Sequence, residues 1–542
     1  MPEKDMKKIR KVLLVVPPVT RPSDFSAKVA RVTVFIPLGI AYIAATIENT
    51  GRYEVSVLDA LIEGDNQTGI PMKNATYFRY GLTDEELAQR IKDFQPDVVG
   101  VSCLFSAAQD DMANVCRIAK RINPDIVTIV GGTHIGNMAE EAIGLYPAVD
   151  FVIVGEAERT FLDILEVLEG DMGLDELNGV AFRKGEEKRF IPKTQYIQDL
   201  DKIDFPAYHF FNLQRYFDRG ESHGFYRRTP YMQMITSRGC PCHCTFCALG
   251  PHWGARQRKR SAKNILDEME KLIGKYGIQE FHFEDDNLTA DKKRAIELFD
   301  GMIERKFNIL WHAPSGIAAY TLSPDIIEKM AASGCYSITI AIESGSQRVL
   351  TKLMRKPVDL KKIPALVQTI RKHKIDVRAF FMLGFPGETK EDMKITIDYA
   401  RGLELDWAYF SIFSPLPKTK MYDVCLEKGY IKEGDFDPIR SFHRSIVHTP
   451  EFAPEELQQI REEAIVDICF RNNPNLRKYD VDTAIENFSS VVRRYPHFDF
   501  ANFYLAEAYL RKGDKKKAAI YYQKTIQANP AHREAISRLK TF

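Results

Sequence analysis

Net charge, long apolar runs and cysteine are all in short supply in this chain, and each shortage removes a class of function. Its 75 basic and 74 acidic residues leave a formal charge of +1, so bulk charge encodes neither a nucleic-acid footprint nor a strongly acidic partner. The longest apolar stretch, around Phe35 to Ile47, is interrupted by Pro37 and is too short to cross a bilayer. The charged opening Met1-Pro-Glu-Lys-Asp-Met-Lys-Lys8 precedes no cleavable apolar segment, so no secretory leader is expected. Of nine cysteines, Cys103, Cys116, Cys335, Cys425 and Cys469 stand alone, a usage that fits a reducing compartment and a cytoplasmic location. What remains is an ordinary globular composition, 45% hydrophobic and 27% charged. At 542 residues it is too long for one core.

The other cysteines are concentrated. Cys240, Cys244 and Cys247 lie in Thr236-Ser-Arg-Gly-Cys-Pro-Cys-His-Cys-Thr-Phe-Cys247 with C-x3-C-x2-C spacing. Three thiolates at this spacing suit an iron–sulfur cube with one iron left open for a small molecule. Zinc is the rival, with His243 as a further ligand, but a structural zinc site usually needs a second ligand pair at a distance. The loop resembles that of the radical S-adenosylmethionine (SAM) superfamily. The resemblance implies a 4Fe-4S cluster on Cys240, Cys244 and Cys247, with SAM chelated to the open iron and cleaved to a 5′-deoxyadenosyl radical. Cys242 stands where that family more often has a bulky residue, and reads as a bystander thiol. The basic run Arg256-Gln-Arg-Lys-Arg260 reads as a solvated loop or as an anion contact near the cluster.

Upstream, short β-branched runs alternate with amphipathic stretches. Val12–Val16, Glu54–Leu58, Val98–Ser102, Ile126–Val130 and Phe151–Val154 read as buried parallel strands of a doubly wound sheet, whose ligands bind beyond the strand carboxyl ends. Asp59-Ala-Leu-Ile-Glu-Gly64, Ser102-Cys-Leu104 and Gly131-Gly132 fall at three such ends. Each alone reads equally as a turn. Together they resemble the cobalamin-binding pattern D-x-H-x-x-G, S-x-L, G-G, which implies cobalamin contacts at Asp59, Leu61, Gly64, Ser102, Leu104, Gly131 and Gly132. Leu61 occupies the histidine position, so no lower axial imidazole comes from this motif. Gly155-Glu-Ala-Glu-Arg-Thr-Phe161 also resembles a loop-to-helix signature of these proteins, or is an acidic helix N-terminus.

From Tyr231 to Phe413 six strand–helix units follow, at Tyr231–Thr236, Glu280–Glu284, Ile309–Ala313, Ser337–Glu343, Val377–Leu383 and Trp407–Phe413. Adjacent carboxylates Glu284-Asp285-Asp286 close the second, and are expected to face solvent or a cation. Glu343-Ser344-Gly345 closes the fourth, and Phe381–Glu388 the fifth. By resemblance these ends surround SAM, implying contacts from Phe246, Glu284, Asp285, Glu343, Ser344 and Gly384. Each acid is otherwise a helix cap. Pro415-Leu-Pro-Lys-Thr419 resembles a later loop that approaches substrate.

Ala484/Ala518, Phe488/Tyr522 and Pro496/Pro530 recur at 34 residues, the tetratricopeptide period, with Lys515-Lys516-Lys517 placed in a turn. Such a module presents a partner face, caps the barrel or mediates self-association. The polar stretch Arg471–Arg477 before it is expected to have few core contacts, so truncation near Asn475 should spare the cofactors.

The expected fold class is therefore α/β. An N-terminal doubly wound cobalamin-binding domain spans 1–190 and an interdomain segment 191–230. A central partial (β/α)6 radical SAM barrel spans 231–430, a helical extension 431–478, and a C-terminal all-α repeat module 479–542. The resemblance implies a cobalamin-dependent radical SAM enzyme that methylates an unactivated carbon or phosphorus centre through methylcobalamin. Oxidative cyclisation or ring contraction without net methylation is the alternative, and a non-catalytic cobalamin-sensing scaffold the alternative of another class. An RNA methylthiotransferase is disfavoured, because those proteins carry extra cluster cysteines in the N-terminal domain. Expected partners are a small-molecule or lipid-like substrate, an electron donor such as flavodoxin or ferredoxin, and a protein at the repeats; no nucleic acid is expected.

Overall fold

The computed structural model describes residues 8–23, 29, 32–64, 69–72, 75–219, 226–254, 256–432 and 445–541. Residues 1–7, most of the charged opening, lie outside the described residues.

The β-branched runs become a parallel sheet because both their faces are covered. Strands Lys11–Val16, Glu54–Asp59, Val98–Ser102, Val127–Gly131 and Phe151–Ile153 take the order 2-1-3-4-5, that of flavodoxin-like doubly wound folds. A hairpin, Val180–Lys184 and Glu187–Ile191, extends the edge beyond Phe151–Ile153 in antiparallel sense. Sequence reading missed this hairpin, whose second strand is mostly charged and lacks an apolar run. Alternate residues divide between two cores. Leu13 and Val15 pack on the face of helix Gln109–Ile122, while Val12 and Leu14 join the helices Leu38–Glu48 and Glu158–Glu169.

The second core does not stop at the domain edge. It runs through Tyr208, Phe211, Leu213 and Tyr216 of the connecting segment into the barrel, so the two α/β units share one apolar cluster. The barrel strands Tyr231–Met234, Glu280–Phe283, Leu310–Ile317, Cys335–Glu343, Asp376–Leu383 and Trp407–Ile412 are parallel and lie side by side in chain order. Outward residues meet the helices, as where Trp311 stacks on Phe299 of helix Lys292–Glu304 at 5.2 Å. Six parallel strands with outer helices leave an incomplete barrel whose C-terminal rim carries the loops.

The C-terminal helices Val481–Arg494, Asp499–Lys512, Lys515–Ala528 and Arg533–Leu539 form the repeat module. The lysines 515–517 begin a helix capped by Asp514, a correction to their placement in a turn. A larger correction concerns 471–477. Asn473 and Asn475 are buried, and their side-chain amides donate to the Asp406 carbonyl and carboxylate at 3.2 and 2.6 Å. Phe470, fully buried, sits among Trp407, Phe488, Phe498 and Tyr504. Arg378 in the barrel donates to Asn487, and Arg227 bridges Asp376 to Glu486. Polar composition suggested few core contacts, but these amides satisfy buried barrel groups, which makes the module a cap on the strand N-termini.

Truncation after Asn475 should therefore destabilise the barrel. Phe470→Ala alone should cost about 3–5 kcal/mol. Thermal unfolding of the full chain, the truncated chain and the point variant checks both, and a truncated protein melting with the parent would refute the cap.

Candidate cofactor site at the domain junction

The three-cysteine loop is held at both ends and in its middle. At its base, Ser237–Arg238 pairs with Arg258–Lys259 in a two-stranded ribbon. Asp285, buried, accepts from the Thr236 amide at 3.1 Å and from the Thr236 and Ser237 hydroxyls at 2.7 and 2.5 Å. Asp286 accepts from the Gly239 amide at 3.0 Å, and burial pushes its carboxyl up to about 6. The expectation of solvent-facing carboxylates is thus corrected for these two, whose oxygens fasten the loop to the second strand. Mid-loop, Thr245 donates from its amide to Met354 and from its hydroxyl to Leu353.

Cys240, Cys244 and Cys247 are each partly exposed on this loop, beyond the first strand. Burial raises the Cys244 thiol to about 11 and also raises Cys247, while Lys356 pulls both the other way. Soft sulfur donors on one exposed loop fit an iron–sulfur cluster, which binds them as thiolates. Cys242 contacts both the Cys240 thiol and the Tyr320 hydroxyl, the latter 3.5 Å away.

Around the rim the other expected contacts differ in what they do. Glu343 ends the fourth strand at φ +73°, a left-handed conformation costly for a residue with a Cβ and typical of functional sites. It pairs with Lys356 at 3.1 Å, both side chains about nine-tenths buried. Sequence reading missed Lys356. It follows the π-helical turn Val349–Met354 and the left-handed Arg355, and no periodicity links it to Glu343. Glu284 accepts from Ser315 at 2.6 Å. Ser344, fully buried, bonds Thr396 and the Ser346 amide, and so anchors helix Lys390–Gly402. Gly384 has φ +76°, and a Cβ there would come within 2.6 Å of Leu457. Phe246 packs edge-on against Phe385 at 6.0 Å.

The N-terminal domain reaches the cysteine loop through buried charge. Arg238 donates to Glu156 at 2.9 Å and also pairs with Glu158, and Arg258 pairs with Glu156 at 2.7 Å. Arg238 lies over the rings of Tyr42 and Trp253. Arg260 pairs with Glu268 at 2.6 Å. Two of the arginines in the 256–260 run are therefore interior ion-pair partners, a correction to both readings of a solvated loop and an anion contact. Gly155 lets the domains close, since a Cβ there would meet the His252 carbonyl at 2.8 Å. Glu156 and Glu158 thus bridge domains. The neighbouring cavity, about 270 Å³, is lined by Asn137, Glu140 and Glu141 from one domain and Pro251 and Lys418 from the other. Lys418, from the Pro415–Thr419 loop, pairs with Glu141 at 2.5 Å.

The cobalamin-type residues gather at the carboxyl edge of the first sheet. Asp59 caps the turn Ala60–Glu63 through the Leu61 and Ile62 amides, and accepts from the Tyr216 hydroxyl of the connecting segment. Burial pushes its carboxyl up to about 6. Leu61 is buried. Gly64 is required by the backbone of Gly81, which a Cβ would meet at 2.2 Å. Ser102 ends its strand partly buried, whereas Leu104 is 48% exposed. Gly132 has φ +122°, and a Cβ would lie 2.6 Å from the Cys103 carbonyl, whereas at Gly131 nothing comes closer than Ile153 at 3.7 Å. His134, also missed, ties these loops. Its ring contacts Ser106 and Gln109 at 3.0 and 2.9 Å, and burial lowers it to about 4, so it stays neutral. Paired glycines beside exposed Leu104 and Phe105 fit the close backbone approach that an extended ligand tail needs.

Two outcomes follow. Removing charge from Glu158 leaves Arg238 short of a buried partner, so Glu158→Gln should cost about 3–5 kcal/mol, read by thermal or denaturant unfolding. Asp59 binds its proton more tightly folded than unfolded, against an unfolded value near 3.8, so its contribution falls as pH rises through about 6. Asp59→Asn should gain stability relative to the parent between pH 4 and 7, by on the order of 3 kcal/mol; a pH-independent difference in Tm would refute the assignment.

Three family descriptions match the chain. A B12 binding domain covers residues 28–165, the radical SAM superfamily 234–400, and a tetratricopeptide repeat 500–532. Cytidylyl-2-hydroxyethylphosphonate methyltransferase from Streptomyces wedmorensis is 34% identical over 473 residues, covering 81% of this chain and 85% of its own length. An anaerobic magnesium-protoporphyrin IX monomethyl ester cyclase from Rubrivivax gelatinosus is 24% identical, over 72% of this chain and 66% of its own. The cobalamin-dependent SAM radical enzyme OxsB, solved with aqua-cobalamin and SAM, shares the fold at TM-score 0.68 and 15% identity, over 98% of this chain and 80% of its own. With three thiols on the barrel rim, paired glycines at the edge of the first sheet and buried charge tying the two domains together, the chain belongs to the cobalamin-dependent radical SAM methyltransferase family, enzymes that use a 4Fe-4S cluster, SAM and cobalamin.

Proposed function

We propose that this enzyme methylates an unactivated carbon or phosphorus centre of a small molecule, with Cys240, Cys244 and Cys247 as the cluster ligands. The observation that carries the reading is the Arg238–Glu156–Glu158 bridge, which ties the cobalamin-type domain to the cysteine loop. When bound, the cluster and SAM supply a 5′-deoxyadenosyl radical, and cobalamin carries the methyl group. The chain's part is to bind, orient and exclude water. Asp285 and Asp286 fix the loop that presents the thiols, and Thr245 pins its middle. Lys356 places a buried positive charge beside thiolate-forming Cys244, neutralised in part by Glu343. Asp59, tied down by Tyr216, and Leu61 offer cobalt no imidazole. The phosphonate relative supports a small-molecule acceptor, and a flavodoxin or ferredoxin is the class of electron donor required.

Oxidative cyclisation is the second reading, favoured by the likeness to the Rubrivivax cyclase. Product mass separates the two. Anaerobic reaction with candidate acceptors should add one CH2 unit to the product, whereas loss of hydrogen without that gain would favour the cyclase reading. Reconstitution should give about four irons per chain. Cys244→Ala should lose at least tenfold in SAM cleavage while Cys242→Ala keeps it, and an active Cys244→Ala would overturn the ligand assignment.

A further inference from the structure

Barrel interiors of this type are usually filled by branched apolar side chains. At the strand N-termini of this barrel, far from the cysteine loop, the filling is different. Glu280 and His282 alternate inward on the second strand, and His312 is the register partner of His282 on the third. All three are buried, and one ligand atom from each lies within 4.8 Å of the others. The imidazoles meet nearly perpendicularly, with ring centroids 4.1 Å apart. Tyr231 stacks flat on His282 at 4.8 Å, and the Tyr336 hydroxyl lies 2.7 Å from Glu280 Oε1.

We propose that Glu280, His282 and His312 bind one zinc ion at the barrel floor, with the Tyr336 hydroxyl as fourth donor. Two imidazoles and a carboxylate are donors that zinc accepts, and such a set of three leaves one tetrahedral position, which the Tyr336 hydroxyl fills here. Donors about 2.0–2.1 Å from a tetrahedral zinc stand about 3.3 Å apart, and the His282 Nε2 to Glu280 Oε1 separation is 3.0 Å. Zinc replaces the protons now shared between Glu280 and its neighbours, which are released on binding. The outer contacts are also those of a metal ligand. Glu280 Oε2 accepts from the Arg227 and Arg228 amides at 2.8 and 2.7 Å, which fixes the carboxylate from behind. The Arg227 guanidinium is directed at Asp376 and Glu486. The ion therefore braces the segment whose arginine fastens the repeat module to the barrel. Its role is structural and separate from the radical chemistry at the opposite rim.

The test uses the full chain, purified from zinc-supplemented culture and freed of loose metal by gel filtration. Elemental analysis should give about one zinc per chain beside the cluster iron, and zinc-edge absorption should show only nitrogen and oxygen at about 2.0 Å. His312→Gln should lower zinc content at least tenfold and leave the iron unchanged. A sulfur shell at about 2.3 Å would place the zinc on the cysteine loop and overturn the proposal. So would zinc-free parent protein, or a folded His312→Gln that retains its zinc. Should the variant not fold, the absorption spectrum of the parent decides alone.

Discussion

A guanidinium removed from water is tolerable only when anions surround it, and Arg238 is buried two residues before Cys240. Its anions, Glu156 and Glu158, belong to the other domain. This one constraint ties the cysteine loop to the cobalamin-type sheet, since neither side is complete alone. Arg258 returns to the same Glu156 from the far end of the loop, so both ends of the loop's base ribbon close on one carboxylate. Gly155 and the shared apolar core through Tyr208 and Tyr216 follow from the same closeness.

The barrel then has two polar ends with different purposes. At the C-terminal rim, the acids are spent on holding loops, apart from the Glu343–Lys356 pair, which sits on strained backbone beside the cysteines. At the N-terminal floor, Glu280, Asp376, Arg378 and Asp406 receive the connecting segment and the C-terminal helices. Radical SAM chemistry needs the first end open to substrate, while the second is closed off. The repeat module seals it, through Phe470 and the asparagines of 473–475. The tetratricopeptide match covers residues 500–532 of the same module.

The strands of both sheets were legible in the sequence within a residue or two at most ends, since a buried parallel strand must be apolar over most of its length and such runs are visible locally. The cysteine spacing was legible for the same reason, because one loop supplies all three thiols. The Val180–Ile191 hairpin was not, because an edge strand needs no apolar run. Nor was the use of Asp285 and Ser344, whose motifs named the right rim but not the direction of each side chain.

The sequence by itself determined the two α/β units, their cofactor class and the 34-residue repeat, because each is written in short-range pattern. Only the tertiary structure decided which charges are interior. Arg258 and Arg260 read in sequence as a solvated loop or an anion contact, and Asn473 and Asn475 as a stretch with few core contacts, because a polar residue has no local mark of burial. Its partner does, and that partner is distant: Glu156 lies 82 residues before Arg238, and Asp406 lies 67 residues before Asn473. Electrostatic and hydrogen-bond satisfaction is a property of the folded chain, so the bridge, the cap and the barrel floor appear only when the strands have been placed side by side.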